Sequence, residues 1–329
     1  MLLNQNDKLY SRTTGNADAE AVLRSTPYSK FRSKYKGGSL RATLSDLAFL
    51  VSLDEDRTLG ATLDRLLDFT QFTLDQLPRE KEDTKEDIKR LFNLDTEVTN
   101  AFYRGETYLS SQYRNELQEV IQQLAPKLDQ SSSEPARERY LQNRHASFEL
   151  NLDRIRQFAF VSYKFLKDKV DSIIYVAHGG AETAFLTRGL LGKGLEFTPL
   201  IYSIYKTPHF RNQKGDKTPN TPIVYMESEA LKKRILVVDD DIDTGRTIFS
   251  VLGFLTEKFN PDELYFGAPL SQQFSSCDNG GISANGPKYN VEVITEDPIM
   301  RKHYKEFPPG YMPISIRGFG LYKFLKRTD

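Results

Sequence analysis

Short apolar runs separated by helix-length stretches fill the second half of the chain and constrain its fold most strongly. Five of these runs are predicted to be strands: residues 173–177, 199–205, 222–226, 235–238 and 264–268. Continuous runs rich in Ile and Val are typical of parallel strands that are covered on both faces. Helices are expected between them at about 182–191 and 246–259. This alternation predicts an α/β fold with a mostly parallel sheet flanked by helices.

The first part of the chain has a helical pattern instead. Between Ala42 and about Leu124, several leucines fall near one face of a 3.6-residue period: Leu59, Leu63, Leu66, Leu67 and Leu74. Residues 126–137 contain two prolines and three serines, which makes them the best candidate for a linker. We therefore expect a helical N-terminal extension of unknown role at 1–130 and an α/β domain at 131–329.

Composition narrows the classes of function. The 45 Lys and Arg residues balance 45 Asp and Glu residues, which argues against a dedicated nucleic-acid-binding protein. No run of about 18 apolar residues exists, so no membrane span is expected. The first residues are too polar for a secretory signal, and the single cysteine, Cys277, excludes an internal disulfide. These features predict a cytoplasmic protein.

A cluster of acids follows the predicted strand 235–238 directly. Asp239, Asp240 and Asp241 are adjacent, and Asp243 comes two residues later. Adjacent carboxylates repel one another, so such a cluster is expected where a cation, a sugar or a proton needs it. Carboxylates can accept hydrogen bonds from a ribose diol, and they can hold water on a hard cation such as Mg²⁺.

The turn after these acids has the opposite character. It lies between a predicted strand and a predicted helix, so its backbone N–H groups would point at an anion at the helix N-terminus. Gly245 lets the backbone approach a ligand closely, and Thr244 and Thr247 can add hydroxyl donors. One strand end therefore offers a phosphate site and a diol clamp, in the order that a 5-phosphoribosyl group requires.

The sequence ILVVDDDIDTGRT, residues 235–247, resembles the phosphoribosyl-pyrophosphate (PRPP) signature of the type I phosphoribosyltransferases. The resemblance implies that Asp239 and Asp240 bind the ribose hydroxyls and, through water, Mg²⁺. It also implies that Asp243 lies near the acceptor base as the general acid or base. The implied 5′-phosphate site consists of Asp243, Thr244, Gly245, Arg246 and Thr247.

Two further segments match the same family by position. The sequence YVAHGGAETA, residues 175–184, lies where the family has its pyrophosphate-binding loop, and the implied residues are His178, Gly179 and Gly180. Residues 205–221 are polar and mostly basic, and they lie where the family has a flexible loop that closes over the active site. The residues there that could meet a pyrophosphate are Lys206, Arg211, Lys214 and Lys217.

The resemblance covers roughly residues 150–329, and it implies an enzyme that moves 5-phosphoribosyl from PRPP to a nitrogenous base and releases pyrophosphate. Residues 275–290 and 304–320 carry no purine or pyrimidine signature, so the acceptor stays open. The alternative is a non-catalytic regulator that binds PRPP or a nucleotide, including an antitoxin-like partner of another protein. The apolar face of the N-terminal helices could form a homodimer or hold a protein partner.

Overall fold

The chain divides into two compact units, Met1–Asp153 and Arg154–Asp329, in the computed structural model. The residues that the structure describes are 40–53, 59–76, 82–128, 154–177, 179–201, 223–242, 246–271, 290–298, 302 and 318–325. The boundary predicted at 130/131 and the boundary after Asp153 are separated by a stretch, 131–153, that lies outside these residues.

Four helices make up the described part of the first unit: α1 (Leu40–Ser52), α2 (Leu59–Gln76), α3 (Glu82–Tyr103) and α4 (Ser111–Leu124). Each helix packs against the next one, and α1 also packs against α4. The Ser110 hydroxyl caps α4 by accepting the Tyr113 N–H. All five leucines that the helical period placed on one face are buried, as a helix with an apolar stripe requires.

The described part of the second unit is a mixed sheet of eight strands with three helices. Residues 154–166 form α5, Ala181–Leu191 form α6, and Arg246–Phe259 form α7. The strands are β1 (Ser172–Ala177), β2 (Glu196–Ile201), β3 (Ile223–Val224), β4 (Arg234–Val238), β5 (Asp241–Ile242), β6 (Glu263–Ser271), β7 (Asn290–Glu296) and β8 (Gly318–Leu325).

The strand order is β3-β2-β1-β4-β6-β8-β7, and β5 pairs with β6. Strands β1, β2, β4, β5 and β6 are parallel, whereas β3 and β8 run antiparallel to their neighbours. The predicted α/β class and the mostly parallel sheet are therefore confirmed. The sheet is mixed because β3 at one edge and β8 near the other run antiparallel to their neighbours, and antiparallel strands at the edges are a common addition to an otherwise parallel sheet.

Helices cover both faces of the sheet. On one face α7 packs its apolar stripe, including Ile248 and Leu252, against a core cluster that contains Ile235 and Phe266. On the other face Phe185 of α6 packs against two sheet residues, with ring centroids 5.7 Å from Tyr175 and 5.0 Å from Phe197. This two-sided cover explains why β1 and β4 are apolar without alternation.

The sequence located the parallel strands better than the antiparallel ones. Strand β1, strand β4 and the start of β6 agree with the prediction to within one residue. Strand β2 begins three residues before the predicted 199, and β3 is shorter than the predicted 222–226. Strands β5, β7 and β8 were not predicted. Among the helices that the structure describes, none is long and apolar enough to cross a membrane.

Candidate functional site

The ends of β1 and β4 bring the glycine pair and the acidic pair together. The two strands are parallel neighbours, and Tyr175 of β1 lies opposite Val238 of β4. Parallel strands have their carboxyl ends at the same edge of a sheet, which is where ligands bind in open α/β folds. The segments that follow, Gly179–Gly180 and Asp239–Asp240, therefore meet at this edge.

Both glycines are needed for this contact. A Cβ atom at Gly179 would overlap the Asp240 carboxylate, so the acid lies directly over this glycine. A Cβ atom at Gly180 would lie 2.6 Å from the Val238 carbonyl oxygen and 3.0 Å from the Asp239 Cα. The first contact is with a side chain that can rotate, and the second is with backbone that cannot move away. The glycines thus set how closely the loop after β1 approaches the acids.

Gly180 also starts helix α6. Its backbone is helical, with φ −70° and ψ −3°. Its N–H donates to the Val176 carbonyl at 3.1 Å, and its own carbonyl accepts the Ala184 N–H at 2.9 Å. The sequence predicted that this N–H faces pyrophosphate, and the structure shows that it already has a partner within the chain. Close packing is therefore what Gly180 contributes to the site.

The two acids of the pair have different environments. Asp239 is buried, with 6% of its surface exposed, whereas Asp240 is exposed. The Asp239 Oδ1 atom accepts the Asp240 N–H at 2.9 Å. Burial, and next the neighbouring charge of Asp240, raises the pKa of Asp239 well above its ordinary value. This edge thus concentrates negative charge that a proton or a cation would relieve.

Strand β6 fixes the backbone of the acidic pair from the other side. The Asp239 N–H donates to the Gly267 carbonyl at 3.1 Å, and the Leu270 N–H donates to the Asp240 carbonyl at 3.3 Å. Strand β5 continues this pairing, since Asp241 lies opposite Leu270. The acids therefore lie between the loop after β1 and the carboxyl end of β6.

The remaining predicted site residues are placed only in part. Arg246 begins α7, and Thr247, in the first turn of that helix, is half-buried. The others lie outside the described residues: His178, Lys206, Arg211, Lys214, Lys217, Asp243, Thr244 and Gly245. The part of the chain that the structure describes contains no group of three or more His, Cys, Asp or Glu side chains that could hold a metal ion.

Three buried polar residues near this edge were not predicted. The Tyr322 hydroxyl lies 2.9 Å from Ser271 Oγ and donates to Glu296 Oε1 at 3.0 Å. The sequence carries one signal for this arrangement. Gly320 stands inside the apolar strand β8, and a glycine inside a strand often marks a close approach by another group.

Comparison with solved structures shows a similarity that covers part of the chain. The chain is similar to a purine phosphoribosyltransferase from Pyrococcus horikoshii Ot3, with 24% sequence identity and a TM-score of 0.29. The match covers 37% of this chain and 76% of that chain. No protein-family model matches the chain, and no curated protein matches it.

Proposed function

We propose that the second unit binds PRPP and transfers its 5-phosphoribosyl group to a nitrogenous base, with release of pyrophosphate. The observation that supports this proposal best is the contact of Gly179 with the Asp240 carboxylate. Two segments far apart in the sequence, each of which the family resemblance assigned to PRPP, lie in contact at the carboxyl ends of β1 and β4. A chance resemblance in one motif would not require the second motif to lie beside it.

The proposed reaction breaks the bond between ribose C1 and the pyrophosphate oxygen, and it forms a bond between C1 and a ring nitrogen of the base. Positive charge develops on the ribose ring as the first bond breaks. Fixed carboxylates beside the ribose, Asp239 and Asp240, would stabilise this charge. Asp243 would take the proton that the ring nitrogen releases.

Asp239 and Asp240 have donor atoms that fit Mg²⁺, because this cation prefers carboxylate and water oxygens. Burial, and next the charge of Asp240, raises the pKa of Asp239, and a nearby cation would favour the charged form of both acids. We propose that these two residues hold the ion through water. When bound, Mg²⁺ would neutralise charge on the leaving pyrophosphate.

The test of binding is calorimetric titration of the full chain with PRPP and Mg²⁺. Wild type should bind, and Asp240→Asn should bind at least about 10-fold more weakly, because it removes a charge from the ligand edge. Asp262→Asn is the matched control: it makes the same change at an exposed acid beside the opposite end of β6, and it should bind as wild type does. Absence of binding to wild type at millimolar PRPP would refute the proposal.

The test of catalysis is pyrophosphate release with adenine, guanine, hypoxanthine, xanthine, uracil and orotate as separate acceptors. Asp243→Asn should retain PRPP binding and lose turnover by about 10²–10⁴-fold, the usual contribution of a general acid or base. The identity of the base that supports release would also give the acceptor.

The second candidate function is regulation by PRPP or a nucleotide without catalysis. It is favoured by the first compact unit, Met1–Asp153, whose described part consists of helices and which the proposed transfer reaction does not use. Under this alternative wild type binds PRPP but releases no pyrophosphate with any acceptor, and PRPP changes the affinity of the chain for a protein partner. Pull-down of that partner with and without PRPP, alongside the release assay, separates the two functions.

A further inference from the structure

A tyrosine ties together the three strands on the far side of the acidic pair. The Tyr322 hydroxyl of β8 contacts Ser271 at the end of β6 and Glu296 at the end of β7, and all three side chains are buried. A Cβ atom at Gly320 would overlap this hydroxyl, so the tyrosine lies along its own strand, over the glycine. The missing side chain at Gly320 therefore lets the phenol reach the carboxyl ends of the neighbouring strands.

The hydrogen bonds of this group have a direction. The phenol has one proton, and it is donated to Glu296. The bond between the two hydroxyls must then use the Ser271 proton, which is donated to the Tyr322 oxygen. Each hydrogen bond in such a chain polarises the next one, so the three residues act as one unit.

The backbone ladder is interrupted where these side chains meet. Between β6 and β8 the register shifts after Ala268, so that Pro269 and Leu270 face one residue of β8. Pro269 has no N–H to donate to a neighbouring strand. A second shift lies between Val293 and Thr295 of β7. Backbone pairing is thus weakest on both sides of β8 at this end, and side-chain hydrogen bonds replace it.

In the bulge, the backbone of β6 forms a hydrogen bond to the acidic pair and not to β8. Leu270, which lies in the bulge, donates its N–H to the Asp240 carbonyl instead of to β8. Ser271, the next residue, is held by Tyr322 and lies opposite Ile242 of β5. A continuous set of bonds therefore runs from Glu296 through Tyr322 and the end of β6 to the backbone of Asp240.

We propose that Tyr322 is a positioning residue that holds the end of β6 and, through Leu270, the ligand-facing carboxylate of Asp240. The link to a ligand rests on the proposed function, because it assumes that PRPP binds at Asp240. The structural part does not rest on the proposed function, because it concerns only how firmly the strand ends are held. These two parts are tested by separate measurements.

The first measurement is amide hydrogen exchange in the free protein, with Tyr322→Phe compared to wild type. This variant keeps the ring and removes only the hydroxyl. Exchange at Leu270 and Asp239, relative to Ile174 in β1, should be about 10-fold faster, the effect expected from losing a hydrogen bond to a charged group. Unchanged relative exchange at Leu270 would overturn the proposal whether or not the protein binds PRPP.

Tyr265→Phe is the matched control. Tyr265 lies in β6, the strand that contains Leu270, and its hydroxyl also donates to a glutamate, Glu263, but at the opposite end of that strand. It should leave the relative exchange at Leu270 and Asp239 unchanged. Equal effects of the two variants would show a general loosening of the sheet and would also overturn the proposal.

Serine variants keep the proposal testable if Tyr322→Phe fails to fold. Ser271→Ala should speed exchange at Leu270 in the same way, and Ser271→Thr, which keeps the hydroxyl, should restore it. The second measurement is PRPP affinity in the presence of Mg²⁺, which Tyr322→Phe should weaken by about 10-fold or more, as loss of partners that orient a ligating group does. If wild type binds PRPP and the folded variant binds equally well, the positioning role is wrong. If wild type does not bind PRPP, the proposed function is wrong, and hydrogen exchange alone decides the role of Tyr322.

Discussion

The helical unit and the sheet of the second unit differ in where most of their buried polar side chains lie. In the first unit they are spread along the helices, as in the hydrogen bond from Thr70 of α2 to Asp95 of α3 at 2.7 Å. Arg65 likewise pairs within α2 with Asp68 at 3.0 Å. In the second unit the buried Asp239, Ser271 and Glu296 lie at strand ends: Asp239 directly follows β4, and the other two are the last residues of β6 and β7.

The difference follows from how each structure uses its backbone. A helix satisfies its own peptide groups, so polar side chains can pair across helices at any level of a bundle. In a sheet covered by helices the side chains of inner strands are mostly apolar on both faces, and the polar side chains of the strands collect where the strands end. Buried polar groups in the helical unit are therefore expected to stabilise its fold, and those at the strand ends are expected to serve the site.

The largest change in stability is expected from a substitution that creates a cavity in the core of one unit and leaves the other unit unchanged. Phe69 of α2 is fully buried, and Phe69→Ala should destabilise the helical unit by about 3–5 kcal/mol. Phe266→Ala makes the same change in the core of the sheet, where the ring stacks on Tyr322 with centroids 5.1 Å apart. Urea unfolding followed by helical circular dichroism, together with PRPP titration, should show that Phe69→Ala retains binding and Phe266→Ala loses it. Loss of PRPP binding in Phe69→Ala with a native sheet would contradict the separation of roles.

The next largest effect concerns the two glycines at the site. Gly180→Ala should destabilise the second unit by about 1–3 kcal/mol, because its Cβ atom meets backbone. Gly179→Ala should weaken PRPP binding at little cost in stability, because its Cβ atom only displaces the Asp240 carboxylate. Gly194→Ala is the matched control, since a Cβ atom there meets nothing within 4 Å. Thermal unfolding and PRPP titration of the three variants would distinguish these effects, and equal stability of all three would contradict the packing described for Gly180.

A smaller effect is expected from the polar pair between α2 and α3. Thr70→Val should destabilise the first unit by about 1–3 kcal/mol, because it removes a buried hydrogen bond to a carboxylate. Thr73→Val is the control on the same helix. The buried Thr73 hydroxyl donates to the Phe69 carbonyl, and that carbonyl is already an acceptor in the hydrogen bonds of the helix backbone. Urea unfolding should show a clearly larger loss for Thr70→Val, and PRPP binding should be unchanged in both variants.

The sequence predicted most of the second unit because its signals are local. Runs such as 235–238 are apolar without interruption, and the acids that follow β4 are visible as soon as that strand is placed. Strands β7 and β8 were missed because β7 is partly polar, and β8 contains two glycines that lower its strand propensity. The Ser271–Tyr322–Glu296 group could not be predicted, because it depends on two register shifts that no local pattern specifies.

Within the second unit, the opposite ends of the same strands differ in the direction of their pKa shifts. Asp171 precedes β1 and accepts hydrogen bonds from Arg234 at the start of β4, at 2.9 and 3.0 Å. These hydrogen bonds lower the pKa of Asp171, whereas burial raises the pKa of Asp239 at the other end. The amino end of these strands is therefore stabilised by a charge pair, whereas the carboxyl end holds an acid whose charged form is disfavoured by burial and by the neighbouring Asp240.

The smallest predicted effect tests the charge pair at the amino ends. Because the folded-state pKa of Asp171 lies below the ordinary value of 3.8, its contribution to stability is present above that pH and is lost as the pH falls through the folded-state pKa. Asp171→Asn should therefore lower the free energy of unfolding at pH 7, and the difference from wild type should shrink as the pH falls below 3.8. The shift at Asp239 is common to both proteins and cancels in this difference. Glu263→Gln should show the same trend, with the difference shrinking as the pH falls below 4.5, because the hydrogen bond from Lys323 lowers the pKa of Glu263 on the neighbouring strand. Urea unfolding at several pH values would measure both, and a difference that stays constant down to low pH would show that Asp171 acts through packing and not through its charge.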